Sequence, residues 1–206
     1  MSHNLSDKEQ VQIIKDWWKK NGKIVLLGIV LFLVANTSII FIKNYIAKYK
    51  TNASIAYTQL IAAEATNNIS DVKLFANELT QKYKRSVYAG LGMLMLAKND
   101  VVSGNLDTAS SDLKWVIDKT YNKSIRQIAR LRLARILLAQ NKPQEASEVL
   151  KKIDDKSFNI AIAELNGDIA LVLNNKDAAA RIYQQALIDS ENTKNKSPLL
   201  HMKANM

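Results

Sequence analysis

Few side chains in this sequence are suited to covalent chemistry. There is no cysteine, and the only two histidines, His3 and His201, lie near opposite ends of the chain. Thiolate nucleophiles, disulfides and Cys-ligated metals are excluded, and no His-containing metal or acid–base cluster is legible. The six glycines form neither GxGxxG nor a phosphate-cradling loop. Carboxylates are plentiful but fall on helical segments at the spacing of a solvated face, so no acid–base pair stands out. The sequence therefore predicts a protein that is not an enzyme and that uses no cofactor and no metal.

What remains is cationic. Arg126, Arg130, Arg132 and Arg135 crowd one segment. Arg126 and Arg130, at i and i+4, share a helix face that suits acidic partners or phosphate, or local pairing with carboxylates such as Glu145 and Glu148. The chain as a whole carries a formal net charge of +10. Such a balance points to nucleic acid, anionic lipid or an acidic partner. Here the lysines are interspersed with acids, which describes a solvated, mildly basic surface rather than a dense nucleic-acid patch.

These residues are positioned by elements arranged around one uncharged stretch, 24–42, reading IVLLGIVLFLVANTSIIFI between Lys23 and Lys43. As a helix it spans close to the ~30 Å hydrocarbon core of a bilayer and satisfies its own backbone polar groups. The run is too long for the apolar region of a cleavable signal peptide and lacks a small-x-small site beyond it, so it reads as an uncleaved signal-anchor. Within it, Asn36-Thr37-Ser38 either bonds to another transmembrane helix or bonds back to carbonyls one turn earlier.

Before the span lies an arm, 1–23. Ser6-Asp7-Lys8-Glu9 has the capping-box pattern. Val11, Ile14 and Trp18 share one helix face, and Asn21-Gly22 is the expected stop. Trp17, Trp18, Lys19, Lys20 and Lys23 stand where an interfacial belt contacts membrane lipid. Lys8, Lys15, Lys19, Lys20 and Lys23 outnumber Lys43, Lys48 and Lys50 across the span, which favours a cytoplasmic N-terminus and an exported C-terminal domain, 43–206. An exported basic domain meets no genome, so nucleic acid is not an expected partner.

From Asn52 onward the pattern is helical, with prolines only at 143 and 198. Breaks are expected at Asn67-Asn68, Ser103-Gly104-Asn105, Tyr121-Asn122-Lys123, Asn141-Lys142-Pro143, Asp154-Asp155 and Asn174-Asn175. They cut the chain into helix pairs. Ala76, Ala109, Ala146 and Ala180 sit early in the second helix of each pair, 33, 37 and 34 residues apart. Twelve residues before the last three stand Ala97, Ala134 and Asp168, the last beside Gly167. A period near 34 with small residues at these places resembles the tetratricopeptide repeat. The expected fold is all-α: an N-terminal transmembrane helix followed by a tetratricopeptide-repeat-like α-solenoid of helical hairpins with a concave face. By that analogy first helices line the groove, and the candidates are Leu91, Leu94 and Lys98, then Ile128, Leu131 and Arg135, then Ile162, Leu165 and Ile169. The apolar members are equally suited to packing within and between repeats.

The layout as a whole resembles the YfgM-type ancillary subunits of the bacterial Sec translocon. The resemblance is carried by Gln10-Val11, Trp17-Trp18 and Asn21-Gly22-Lys23 before the span, and by Ala53-Ser54-Ile55-Ala56-Tyr57 after it. It continues through Tyr88-Ala89 with Leu94 and Ala97, the segment Leu131 to Ala139, Gly167-Asp168, and Asp177 to Tyr183. The resemblance implies a non-enzymatic, single-pass inner-membrane protein with its N-terminus in the cytoplasm and a periplasmic domain. It further implies association with the translocon and with a membrane-anchored chaperone of the PpiD type, contact with unfolded exported proteins, and help in handing them over. A scaffold or regulator of a different envelope complex is the alternative. A chain begun at Lys48 is expected to be soluble and helical by circular dichroism; a strand-rich spectrum would overturn the fold.

Overall fold

Three asparagines and a glycine punctuate the chain. In a computed structural model, which describes residues 7–193 and 198–205, Asn67, Gly104, Asn141 and Asn174 adopt φ of 54°, 79°, 57° and 60°. This left-handed conformation suits glycine and is tolerated by asparagine. Each residue ends a helix in the same way. The next amide donates back to the carbonyl five residues earlier: Asn68 to Ala63 (2.9 Å), Asn105 to Asp100, Lys142 to Leu137 and Asn175 to Ala170 (2.8 Å each). The left-handed residue's own N–H meanwhile reaches the carbonyl three back, as Asn67 does to Glu64 at 3.0 Å. This is the Schellman pattern, which satisfies carbonyls that a helix end would otherwise leave bare.

Between these stops lie α1 (Asp7–Ala65), α2 (Ile69–Lys82), α3 (Val87–Val102), α4 (Leu106–Lys119), α5 (Lys123–Ala139), α6 (Pro143–Leu150), a 3-10 turn (Lys156–Phe158), α7 (Asn159–Val172), α8 (Lys176–Asn192) and α9 (Pro198–Ala204). Among the described residues there is no strand. The second helices start behind local caps: Asn68 and Asn175 accept from the Asp71 and Ala178 amides, and Pro143 opens α6 at a position where its missing N–H costs nothing.

The chain divides into two compact units, Met1–Lys50 and Thr51–Met206. In the first, α1 is long and apolar enough to cross a membrane, with a mean hydropathy of 2.7 over its most apolar window. The stop expected at Asn21-Gly22 does not occur, because α1 runs through it. A glycine inside a helix costs only about 1 kcal/mol, and Asn21 Nδ2 donates back to the Trp17 carbonyl at 3.2 Å. Asn36 and Thr37 also bond backwards, to the Phe32 carbonyl (3.0 Å) and to those of Leu33 and Val34 (3.0 Å each). The capping-box serine, Ser6, and His3 lie outside the described residues.

In the second unit the buried residues of 51–65 share one core with those of α2, and α3/α4, α5/α6 and α7/α8 follow as hairpins, each packed on the next. The turn residues define a register that corrects the alanine alignment expected from sequence. Five residues after each turn stand Val72, Ala109, Ala146 and Ala179, all buried; Ala180 is exposed and is not the repeat position. Ala76 belongs one helical turn later, with Leu113, Leu150 and Tyr183, which are also buried. Seven residues before each turn come Leu60, Ala97, Ala134 and Gly167, so Gly167 rather than Asp168 is the small residue of the last pair. The turns themselves are 37, 37 and 33 residues apart. One continuous core runs from Ala53 to Ile169, and a smaller one gathers Ala179, Tyr183, Ala186 and Leu200 beneath α9.

At Gly167 the ring of Tyr183 leaves no room for a side chain. A Cβ there would lie 2.3 Å from Cε1 of Tyr183, a ring with 1 % exposure. The ring is held by its hydroxyl, which donates to Asp168 Oδ1 at 2.6 Å, so it cannot swing clear. Gly167→Ala is therefore expected to destabilise the chain by about 1–3 kcal/mol, overpacking outweighing the ~1 kcal/mol gain in helix propensity. Chemical denaturation followed by circular dichroism checks this, and adding Tyr183→Leu should restore part of the loss.

Candidate partner-binding surface

Helical spacing alone does not separate the two faces of a first helix in a solenoid, since both neighbours along the stack take apolar residues. The structure does separate them. Of the groove candidates, Leu94, Leu131, Leu165 and Ile169 are buried in the continuous core and do not line a surface. Leu91, Ile128 and Ile162 are half-buried and pack against that core from its edge. Lys98 and Arg135 alone of the nine are exposed. Turn-relative numbering explains the pairing of these two: each lies six residues before its left-handed turn residue, as does Asp168 in the last hairpin.

Lys98 and Arg135 meet at a cleft of about 250 Å³ between the C-terminal halves of α3 and α5. Val101 and Val102 from α3, Leu113 from α4 and Ile136 from α5 supply its apolar walls, and Arg132 joins the rim. Sequence reasoning missed Val102, whose side chain is 78 % exposed. The signal available was its position two residues before Gly104, at the mouth of a turn where no later helix can cover it.

The cations of the rim differ in how they are balanced. Lys98 Nζ pairs with Glu64 Oε1 at 2.8 Å while Asn99 donates to Oε2 at 2.6 Å, and these hydrogen bonds hold the Glu64 carboxyl below its usual range. Arg132 instead donates to the Leu94 carbonyl at 3.1 Å. Burial, followed by the neighbouring charge of Arg135, lowers the Arg132 pKa from its ordinary value. The other arginines of the run bond neutral acceptors, Arg126 to the Thr120 carbonyl (3.0 Å) and Arg130 to Gln127 Oε1 (2.9 Å). The partners expected for this run, Glu145 and Glu148, do not serve it; Glu148 pairs with Lys151 at 2.6 Å.

In the first unit, Trp17 and Trp18 are half-exposed with ring centroids 6.4 Å apart, and Lys19, Lys20 and Lys23 are exposed beside them. Among the described residues no group of three or more His, Cys, Asp or Glu converges in a way that could hold a metal ion.

A family model described as a tetratricopeptide repeat-like domain matches residues 15–206. Relatives from several bacteria carry the name ancillary SecYEG translocon subunit. That of Haemophilus influenzae is 24 % identical, covering 90 % of this chain and 91 % of its own. That of Aggregatibacter actinomycetemcomitans is 27 % identical over the same shares, 90 % and 91 %. That of Buchnera aphidicola subsp. Schizaphis graminum is 30 % identical, covering 71 % and 73 %. No solved structure matches.

Close to the cleft, α3 and α4 press two carboxyls together. Burial, and then the hydrogen bond and charge of Asp100, push the Asp112 carboxyl up to about 7, with Lys73 of α2 pulling the other way. Oδ2 of each aspartate finds no protein partner. A carboxyl whose pKa is higher folded than unfolded stabilises the fold at pH below its unfolded value, and that contribution is lost as pH rises through the folded value. The melting temperature is expected to fall as pH rises from about 5 to about 8, and Asp112→Asn should flatten that slope and raise stability at the alkaline end. Parallel slopes for the two proteins would show that the pair does not share a proton.

Proposed function

The chain belongs to the tetratricopeptide repeat-like family of ancillary SecYEG translocon subunits, and from that premise we propose that it is a non-enzymatic, membrane-tethered adaptor at the protein-export site. The observation that carries this is a combination within one chain. A helix apolar enough to span a bilayer is followed by a hairpin-repeat domain, and relatives bearing the translocon name align over nearly all of it.

The finer reading assigns orientation and partners. The lysine excess on the N-terminal side of the span supports a cytoplasmic arm, 1–23, a single transmembrane helix, 24–42, in the inner membrane, and a periplasmic domain, 43–206. The repeat domain then docks a membrane-anchored chaperone of the PpiD type and receives newly exported, still unfolded chains. The mechanism is tethering. Confinement beside the translocon converts encounters between exported chain and chaperone into near-intramolecular ones and raises effective concentration without covalent chemistry. Stacked repeats suit the task because they present a long surface on a backbone whose hydrogen bonds are already satisfied.

Crosslinking in intact membranes, then affinity purification of the full chain and mass spectrometry, tests this. Recovery of translocon subunits together with a periplasmic chaperone is expected. Recovery of a different envelope complex without the translocon would overturn the function and leave the fold standing.

A further inference from the structure

We infer that the cleft between α3 and α5 is the docking point for an acidic, apolar segment of a partner protein, whose carboxylates meet Arg132 and Arg135 while a neighbouring apolar side chain rests on Val101, Val102 and Ile136. The inference rests on the reading of the repeat domain as a protein-docking module and adds the chemistry of what docks.

Three observations converge on it. The first is shape: a cleft of about 250 Å³ with apolar walls, one of which, Val102, stands 78 % exposed to water. An apolar side chain placed there removes surface that folding leaves wet. The second is charge. Among the described residues neither Arg132 nor Arg135 has a carboxylate within ion-pair distance, and burial, followed by the crowding charge of Arg135, disfavours the charge on Arg132. A guanidinium cannot relieve that crowding by losing its proton, so an incoming carboxylate is the available remedy, and its planar, two-oxygen geometry matches the guanidinium fork.

The third observation is the contrast with Lys98 on the same rim. Its ammonium is neutralised by Glu64 at 2.8 Å. The rim thus carries one cation to which the fold supplies a carboxylate, and beside the apolar walls two arginines to which it supplies none. A bare phosphate would use the arginines and ignore the walls. An apolar chain without acids would use the walls and bury the arginines unpaired, at a cost. A segment with both features uses the whole cleft.

The test uses the full chain in lipid nanodiscs and fluorescein-labelled peptides read by anisotropy. One peptide alternates leucine with glutamate, and its counterpart replaces every glutamate with glutamine. The glutamate peptide is expected to bind at least tenfold more tightly, and its advantage should shrink as salt rises. Arg135→Glu and, separately, Val102→Glu should each weaken binding at least tenfold; both side chains are exposed, so folding is expected to survive and is checked by circular dichroism. Arg181→Gln, on the exposed face of α8, should leave binding unchanged. Equal binding of the two peptides, or undiminished binding by Arg135→Glu, would overturn the inference. So would a surface that binds anionic vesicles in solution but neither peptide. The two proposals fail separately: peptide binding by a chain that does not co-purify with the translocon removes the adaptor reading alone, and translocon recovery with no peptide preference removes the cleft alone.

Discussion

Everything in the repeat domain depends on four residues being able to enter the left-handed region of backbone space. Asn67, Gly104, Asn141 and Asn174 each let a helix stop within one residue, return two amides to its last carbonyls and start an antiparallel partner two residues later. Because the stop is the same each time, the residues that follow it fall on the same faces each time. Positions five and nine after the turn are buried in all four hairpins, whatever their chemistry: Val72, Ala109, Ala146 and Ala179 at one level, Ala76, Leu113, Leu150 and Tyr183 at the next. The repeat is thus a repeat of geometry first and of residue type second.

That order of priority explains what was legible in the sequence. Most of the breaks were, because asparagine, glycine and proline cluster where helices cannot continue; the break at 83–86, between α2 and α3, carries none of the three and was not. The all-α class and the hairpin period were legible too. The register was not, since alanine occurs at both buried levels and lies one helical turn apart in the first and later hairpins. Hydrophobic periodicity of 3.6 is unchanged by a shift of one turn, so only the backbone angle at the turn distinguishes Ala76 from Val72 as the partner of Ala109. The continuity of α1 through Asn21-Gly22 was hidden for a different reason. Both residues are stop signals on average, but a helix already nucleated on either side pays a small penalty to pass them.

The candidate surface was legible by half. Residues three, four and seven apart on a first helix were expected to share one face, but in a stacked array that face divides between neighbour and solvent. Leucine and isoleucine went to the neighbour, as Leu94, Leu131 and Leu165 show, and the long cations reached the solvent. Val102 broke the rule because it sits at a helix end, where no adjacent element remains to cover it.

The distribution of charge follows from the same architecture. Something must hide the apolar face of the α7/α8 hairpin that the earlier repeats leave uncovered. Here α9 does so with Leu200, fully buried, and with Lys203, whose ammonium lies between Glu164 and Asp168 and 5.7 Å from the Tyr183 ring centroid. Burial acts to lower the Lys203 pKa, but the hydrogen bonds and charges of the two carboxylates outweigh it and raise the value overall. Asp168 thereby has two duties, holding α9 through Lys203 and fixing the tyrosine against Gly167. At the same repeat position the earlier hairpins carry Ile61, Lys98 and Arg135. The residue at this one geometric position therefore decides what a repeat can hold: Lys98 reaches back to Glu64, and Asp168 holds Lys203 of α9.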